Sequence, residues 1–392
     1  MRDGTAGEVL IAFLKLGLTS FGGPIAHIGY FREEFVVRRR WIDDSTYTDL
    51  VALCQFLPGP ASSQVGFSVG LIRAGYPGAI AAWTGFTLPS AVLLTAFAFG
   101  AASLGGAIGT AALHGLELVA VAIVAQAVFG MARTLCPDRE RASIAGAAAI
   151  IVLVAASSAA QIEVIVIGAL AGLALCRGPA PAVAGSLGTP VTRKVGVASL
   201  AAFLSLLAAL PLLGRRLPGV QVFDAFYRSG ALVFGGGHVV LPLLSNAFVA
   251  PGWVGKDVFL AGYGAAQAIP GPLFAFGAYL GAVSRHPPSG IGGAALGLAA
   301  LFLPGLLILI AALPFWDAFR RRARAQAAMR GINAAVVGLL GAALYNPLWT
   351  STIRSTADLA LALMGFVLLV AWRAPPALVV ILGALGGILT RV

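Results

Sequence analysis

The sequence predicts an all-α polytopic membrane protein made of two homologous repeats, inverted relative to one another, with helices broken at Gly/Pro motifs. Three observations carry this reading. Hydrophobic residues make up 59% of the 392-residue chain and charged residues only 10%, with a mean hydropathy of +0.93. A soluble domain of this length needs far more polar surface. The run Gln55-Phe56-Leu57-Pro58-Gly59-Pro60 recurs as Gln267-Ala268-Ile269-Pro270-Gly271-Pro272. Around that run, a series of further residues repeats in the same order at a slowly drifting offset.

A spanning helix needs about 20 apolar residues, which leaves room for roughly ten to thirteen crossings. Residues 8–29 form an apolar segment that carries Lys15 and breaks at Phe21-Gly22-Gly23-Pro24, with His27 just beyond. Arg32 to Trp41 reads as an amphipathic surface segment with an aromatic anchor. Segment 46–73 contains the first Pro-Gly-Pro run. Each proline lacks an N–H and clashes with the preceding turn, so the helix must break there. Segments 76–101 and 105–132 read as full spans, the second carrying Glu117. Two shorter runs follow, 143–157 and 159–176, then a Pro/Gly-rich linker (177–194) and a further apolar run, 195–213.

From about residue 221 the pattern starts again. Phe13, Lys15, Gly17, Phe21, Gly22 and Gly23 match Phe226, Arg228, Gly230, Phe234, Gly235 and Gly236 at an offset of 213. Trp41, Gln55 and Pro58-Gly59-Pro60 match Trp253, Gln267 and Pro270-Gly271-Pro272 at 212. Gly66-x-x-x-Gly70 pairs with Gly277-x-x-x-Gly281, a spacing that lets helices approach closely. Leu88-Pro89 pairs with Leu303-Pro304, and Gly115-x-Glu117 with Gly331-x-Asn333. The expected organisation is an N-terminal repeat (1–176), a linker with one extra apolar segment (177–219) and a C-terminal repeat (220–392). Basic residues change sides between the halves. Arg38-Arg39-Arg40 faces the nearly neutral 250–253, whereas the uncharged 101–112 faces Arg320, Arg321, Arg322, Arg324 and Arg330. That exchange favours opposite orientations. Whether 46–73 crosses fully or returns as a hairpin stays open at this level.

The net charge of +11 sits mainly in short gaps between apolar segments, so membrane lipid is the expected partner and nucleic acid is not. Cys54, Cys136 and Cys176 are scattered, which indicates neither a disulfide framework nor a metal site. No CxxC, HExxH or Walker loop stands beside the breaks, so an enzyme is not expected and no cofactor is implied. Duplicated broken helices are a recurring transporter design, with the site where the repeats meet.

FGGPIAHIGYF, the loop ending RRRW, and QFLPGPASSQVGFSVG together resemble the chromate ion transporter family in its long, two-domain form. FGGGHVVLPLL and QAIPGPLFAFGAYLG are similar to that family's second domain, so the likeness covers essentially the whole chain. Gly237 stands where the first repeat has Pro24, which departs from strict two-fold equivalence. The resemblance implies export of chromate across the bacterial cytoplasmic (inner) membrane, with sulfate as the close analogue and coupling to the proton motive force. A sulfate or other oxyanion transporter, an anion channel and a membrane-bound redox enzyme are the alternatives, and a homo-oligomer stays open.

A tetrahedral dianion needs positive potential without tight trapping. Half-helix N-termini after Gly23, Pro60, Gly236 and Pro272 would offer unpaired N–H groups and a positive dipole end. The expected substrate-binding positions are therefore Gly22, Gly23, Pro58, Gly59, Pro60, Gly235, Gly236, Pro270, Gly271 and Pro272. Lys15 and Arg228 recur at matching positions, so oxyanion binding is the favoured reading; snorkelling to the interface is the alternative. Gln55 and Gln267 can donate to an oxyanion, or can tie off carbonyls freed by the prolines. Ser62 and Ser63 can donate hydroxyls, or cap the new half-helix. His27, His238 and Glu117 are the candidates for carrying a coupled proton, although structural histidines at helix ends are commoner. Glu117 could instead pair with Lys15.

Overall fold

Helices begin where the sequence supplies a cap or a break. Thr5 caps α1 (Ala6–Thr19), its hydroxyl accepting the Glu8 amide at 3.2 Å. The Gly-Gly-Pro break opens α2 (Gly23–Arg32), with Gly23 at φ 77°. Asp43 caps α3 (Asp44–Phe56) by accepting the Thr46 amide at 2.9 Å. The first Pro-Gly-Pro then separates α3 from α4 (Ala61–Ser103). Next come α5 (Gly106–Leu135), α6 (Arg139–Ala155), α7 (Ser158–Leu175) and α8 (Arg193–Gly214). The second repeat supplies α9 (Pro218–Ala231), α10 (Val240–Leu244) and α11 (Lys256–Ala268). It continues with α12 (Phe276–Val283), α13 (Gly290–Ala312), α14 (Ala323–Ala343), α15 (Thr356–Val370) and α16 (Pro376–Arg391).

This computed structural model describes residues 4–21, 23–103, 106–155, 158–176, 189–214, 217–234, 237–316 and 322–391. Gly22, Gly235, Gly236, Arg320, Arg321 and most of the 177–194 linker lie outside the described residues. Among those described, the regular structure is helical throughout. Among the described residues, five helices are long and apolar enough to cross a membrane: Ala61–Gly100, Ile108–Leu135, Arg193–Gly214, Gly290–Phe315 and Ala323–Thr352.

By internal packing the chain divides into two units, each drawing on both repeats. The first comprises 1–96, 181–237 and 269–321; the second comprises 97–180, 238–268 and 322–392.

In the first unit, α4 is not one straight rod. Ala74 and Gly75 leave helical geometry, Gly75 at φ 68°, and the chain turns back on itself. Residues 61–73 rise only about 20 Å before the turn, short of the roughly 30 Å of a hydrocarbon core. The stretch after the break is therefore a half-length helix that returns as a hairpin. Glycines make the hairpin tight: a Cβ on Gly70 or Gly78 would run into the other's carbonyl. The second repeat does the same through α12 and α13, where Gly281 faces Gly293 and Gly277 faces Gly297. The two GxxxG runs differ in part, since Gly66 faces the Phe13 and Phe31 rings instead.

The Arg32–Trp41 segment departs from the expected surface anchor. Trp41 is buried, its ring 4.9 Å from Phe35 in a stack that continues to Phe13 at 4.7 Å. The Arg39 and Arg73 guanidiniums lie over the Trp41 ring at 5.2 and 5.3 Å. The buried Glu34 carboxylate receives Arg38 and Arg39, while Glu8 receives Arg73. Burial alone would raise the Glu34 carboxyl, but hydrogen bonding and charge from Arg39 and Arg38 together hold it below the ordinary carboxylate range. A lowered folded-state value means that stability is full above the ordinary range and is lost as pH falls through the folded value. Thermal unfolding of purified protein should therefore fall more steeply on acidification below about pH 4 in the wild type than in Glu34→Gln. Parallel acid profiles would remove this role.

In the second unit, small residues again set the contacts. Gly115 of α5 packs against Gly383 and Gly387 of α16, and Gly331 of α14 packs against Gly168 and Gly172 of α7. The contact is reciprocal: the fourth long segment of each repeat packs on the last helix of the other.

Candidate functional site

The Pro-Gly-Pro loops show why the breaks exist. Gly59 takes φ 120° and Gly271 φ 100°, conformations that only glycine adopts without strain. The Gly59 N–H donates to the Val233 carbonyl at 2.7 Å, and the Gly271 N–H donates to the Ser20 carbonyl at 3.0 Å. Val233 and Ser20 each stand immediately before the Phe-Gly-Gly of their repeat. Each loop is thus tied to the other repeat's break. The second side of each loop obeys the same exchange. Gly59 lies against Gly305 and Gly271 against Ser90, the residues that follow Leu303-Pro304 and Leu88-Pro89. Within the first unit the two repeats are related by a two-fold exchange of contacts.

The side chains beside the loops are not symmetric. Ser62, Ser63 and Gln64 form a buried first turn of α4, where the second repeat has the apolar Phe274, Ala275 and Phe276. His27 lies 3.2 Å from the Ser20 carbonyl through Nε2 and 3.4 Å from the Ser62 hydroxyl through Nδ1. A carbonyl only accepts, so Nε2 carries the hydrogen and Nδ1 of the neutral ring accepts from Ser62. The Phe86 ring meets the imidazole edge-on at 5.1 Å. The hydroxyls of Ser20, Ser63 and Thr87 are buried with no partner. Buried hydroxyls without partners are uncommon, and here they are spare donors beside an opened helix end.

The other expected residues fall as follows. Pro58 and Pro60 flank Gly59 in the first loop, and Pro270 and Pro272 flank Gly271 in the second. α2 begins at Gly23, and α4 begins right after Pro60. One 3-10 turn, Gly237–Val239, leads into α10, and another, Leu273–Ala275, follows Pro272 into α12. Lys15 is exposed on the face of α1 that also presents Ile11, Leu14 and Leu18. Arg228 is held by Asp224 on the preceding turn at 2.8 Å and is partly exposed. Gln55 is exposed.

In the second unit, His238 Nδ1 lies 2.8 Å from the Tyr263 hydroxyl, which also bonds Gln267. The Gln267 Nε2 is buried without a partner. Glu117 sits beside His114, Oε2 to Nδ1 at 3.3 Å, and His114 Nε2 reaches Asp358 Oδ1 at 2.9 Å. Glu117 thus has an imidazole as its partner.

The chromate transporter family model matches residues 7–174 and again 220–388. The chain belongs to the chromate transporter family. It is 29% identical to a chromate transport protein of Pseudomonas aeruginosa, over 97% of this chain and 90% of that protein. It is 26% identical to a probable chromate transport protein of Synechococcus elongatus (96% and 93% covered). Identity is also 26% to a chromate transport protein of Cupriavidus metallidurans (93% and 86%). No solved structure matches it. Family and helices together make this transporter a multi-pass integral membrane protein.

Sequence reasoning missed four residues of the transporter's polar clusters. Gln64 was legible only as a polar residue deep in an apolar run; its Nε2 donates to the Pro58 and Gly305 carbonyls at 2.9 and 2.8 Å. That is the carbonyl-tying role expected of Gln55. His114 stands three residues before Glu117, a spacing that puts both on one helix face. Asp358 follows Ser355 by three residues, a cap signal at the start of α15. Tyr263 carried no signal of its own.

Proposed function

We propose that this chain is a secondary active carrier, and not an enzyme, that moves chromate out of the cytoplasm by alternating exposure of a site at the crossed loops. The observation that carries the reading is the family match along both repeats, whose relatives are named as chromate transport proteins. The polar first turn after Pro60 supports placing the oxyanion there. Ser63, whose hydroxyl has no partner, and the opening N–H groups of α4 supply donors and a positive dipole end, while Ser62 gives its hydrogen to His27. Repeats inverted in the membrane are supported by the exchanged basic loops and by the reciprocal loop contacts. Direction follows from charge. The membrane potential is worth about 2.3 kcal/mol per charge per 100 mV, and a dianion leaving a negative interior gains roughly twice that.

Lys15, on the outward face of α1 among aliphatic side chains, is read as an interface anchor. Lys15→Ala is accordingly expected to keep near-wild-type exchange rates; loss of exchange in correctly inserted protein would return it to the site. The function itself is tested with purified protein in liposomes, by counterflow of labelled chromate under imposed voltage. Saturable, trans-accelerated flux that sulfate inhibits supports a carrier. Flux linear in chromate would indicate a channel, and absence of flux would remove the reading.

A further inference from the structure

We infer that His114, Glu117 and Asp358 form a buried proton-binding site of this protein. Their exposures are 4%, 5% and 2%, and all three lie in the second unit. The imidazole stands between the carboxylates, one at each ring nitrogen. Carboxylates without protons only accept, so the two hydrogen bonds need two hydrogens. A neutral imidazole owns one. The arrangement therefore holds one proton more than a neutral histidine between two carboxylates, either on the ring or on one carboxyl group. Removing that proton leaves a nitrogen lone pair facing a carboxylate in a buried setting, which is strongly unfavourable. The site is shaped for a proton and not a metal ion. The two ring nitrogens point to opposite sides, so no single point lies within ligand distance of all three groups.

The charged groups around the triad are few. Asp358 Oδ2 accepts the Arg354 amide at 2.9 Å, and the exposed Arg354 guanidinium lies 3.9 Å from Asp257. Lys256 and Asp257, at the start of α11, and Arg354 all bear electrostatically on Glu117 or on one another. From α16, residues 376–390 bring no titratable group, and Arg330 of α14 is turned to the Cys176 carbonyl. Asp257 and Arg354 give the buried groups an exposed charged neighbour on one side.

The second repeat makes the assignment specific. At the offset of 216 that pairs Gly115 with Gly331, His114 corresponds to Arg330, Glu117 to Asn333 and Asp358 to Ala142. An arginine does not release its proton and an asparagine does not titrate. One repeat keeps a titrating group where the other has a fixed charge and a neutral amide.

The role in transport rests on the carrier reading, whereas the proton binding does not. Two measurements separate them. Difference titration of purified protein in detergent compares wild type with Glu117→Gln, and with Asp358→Asn as a second variant that keeps an oxygen for the Arg354 amide. Each variant should take up one proton fewer than wild type on acidification, and the infrared band of the bound proton, from a carboxyl group or an imidazolium, should be lost. Unchanged proton uptake and band in correctly folded variants would overturn the assignment, as would a titration displaced by sodium at constant ionic strength. In liposomes, Glu117→Gln should retain chromate exchange while a pH gradient no longer drives accumulation. Retained pH-driven accumulation would overturn the coupling role. Wild type that titrates as expected but moves no chromate would overturn the carrier reading and leave the proton site standing.

Discussion

Gly271→Ala and Gly59→Ala are each expected to abolish chromate exchange and to destabilise the protein by roughly 2–5 kcal/mol. Two separate effects add. A side chain at φ 100° or 120° sits in a region that costs L-residues about 1–2 kcal/mol. A Cβ on Gly271 would also stand 2.8 Å from the Ser90 hydroxyl and 3.2 Å from the Phe86 carbonyl. On Gly59 it would stand 2.9 Å from the Gly305 Cα and 3.0 Å from the Gln64 amide. Overpacking of this kind adds about 1–3 kcal/mol. Relief would push the loop away from Ser20 or Val233 and break the bond that joins the repeats. Gly130→Ala is the control, because nothing lies within 4 Å of the added methyl group. In mid-helix it should be neutral or stabilising by up to about 1 kcal/mol. Thermal unfolding in detergent, with chromate exchange measured alongside, distinguishes the two. Wild-type behaviour of both loop variants would dissolve the crossed-loop account.

Gln64→Leu is expected to be nearly as damaging. The amide orientation is fixed, because both of its partners are carbonyls and only the NH2 group can donate. Pro58 has a carbonyl that the broken helix leaves without its usual amide, whereas Gly305 lies inside α13 and takes Gln64 as an additional donor. Leucine matches the volume but leaves the partly buried Pro58 oxygen unpaired and removes the second bond to Gly305. The unpaired oxygen costs about 1–3 kcal/mol and the lost second bond about 0.5–1.5 kcal/mol, so a total of roughly 1.5–4.5 kcal/mol is expected in thermal unfolding. A loss below about 0.5 kcal/mol would mean that water or a shifted loop satisfies these carbonyls.

Much of the fold was legible because its signals are covalent. A proline cannot continue a helix, so the Pro-Gly-Pro and Gly-Gly-Pro breaks announce half-helices in any context. Duplication is visible for the same reason: matched Gly, Pro and Trp positions mark identical backbone geometry. The chain's return at Ala74-Gly75 lay in the gap between the segments ending at 73 and starting at 76. What it meant for crossing number was not readable. Partner choice is the part the sequence withholds. That Gly59 bonds Val233 and Gly271 bonds Ser20 depends on packing between distant repeats, as does each unit's mixture of both. Trp41 looked like an interface anchor because its neighbours are basic, yet Arg39 and Arg73 stack on its ring above an aromatic core. Glu117 was visible as a lone intramembrane carboxylate. The carboxylate that shares its imidazole, Asp358, is 241 positions away in the numbering, and local spacing reveals only its role at the cap.

The central claim is that the oxyanion is held at the opened end of α4, where only the first repeat has hydroxyls. The most direct measurement is equilibrium binding of chromate to purified protein, wild type against the Ser62→Ala/Ser63→Ala double variant, with unfolding temperature followed in parallel. Hydrogen bonds to a charged group contribute about 1.5–3 kcal/mol each. With Ser63 as the free hydroxyl donor, the account predicts a loss of about 1.5–3 kcal/mol, roughly tenfold to a hundredfold in affinity, with sulfate displacing chromate from the wild type. Unchanged chromate affinity in a correctly folded double variant would contradict it.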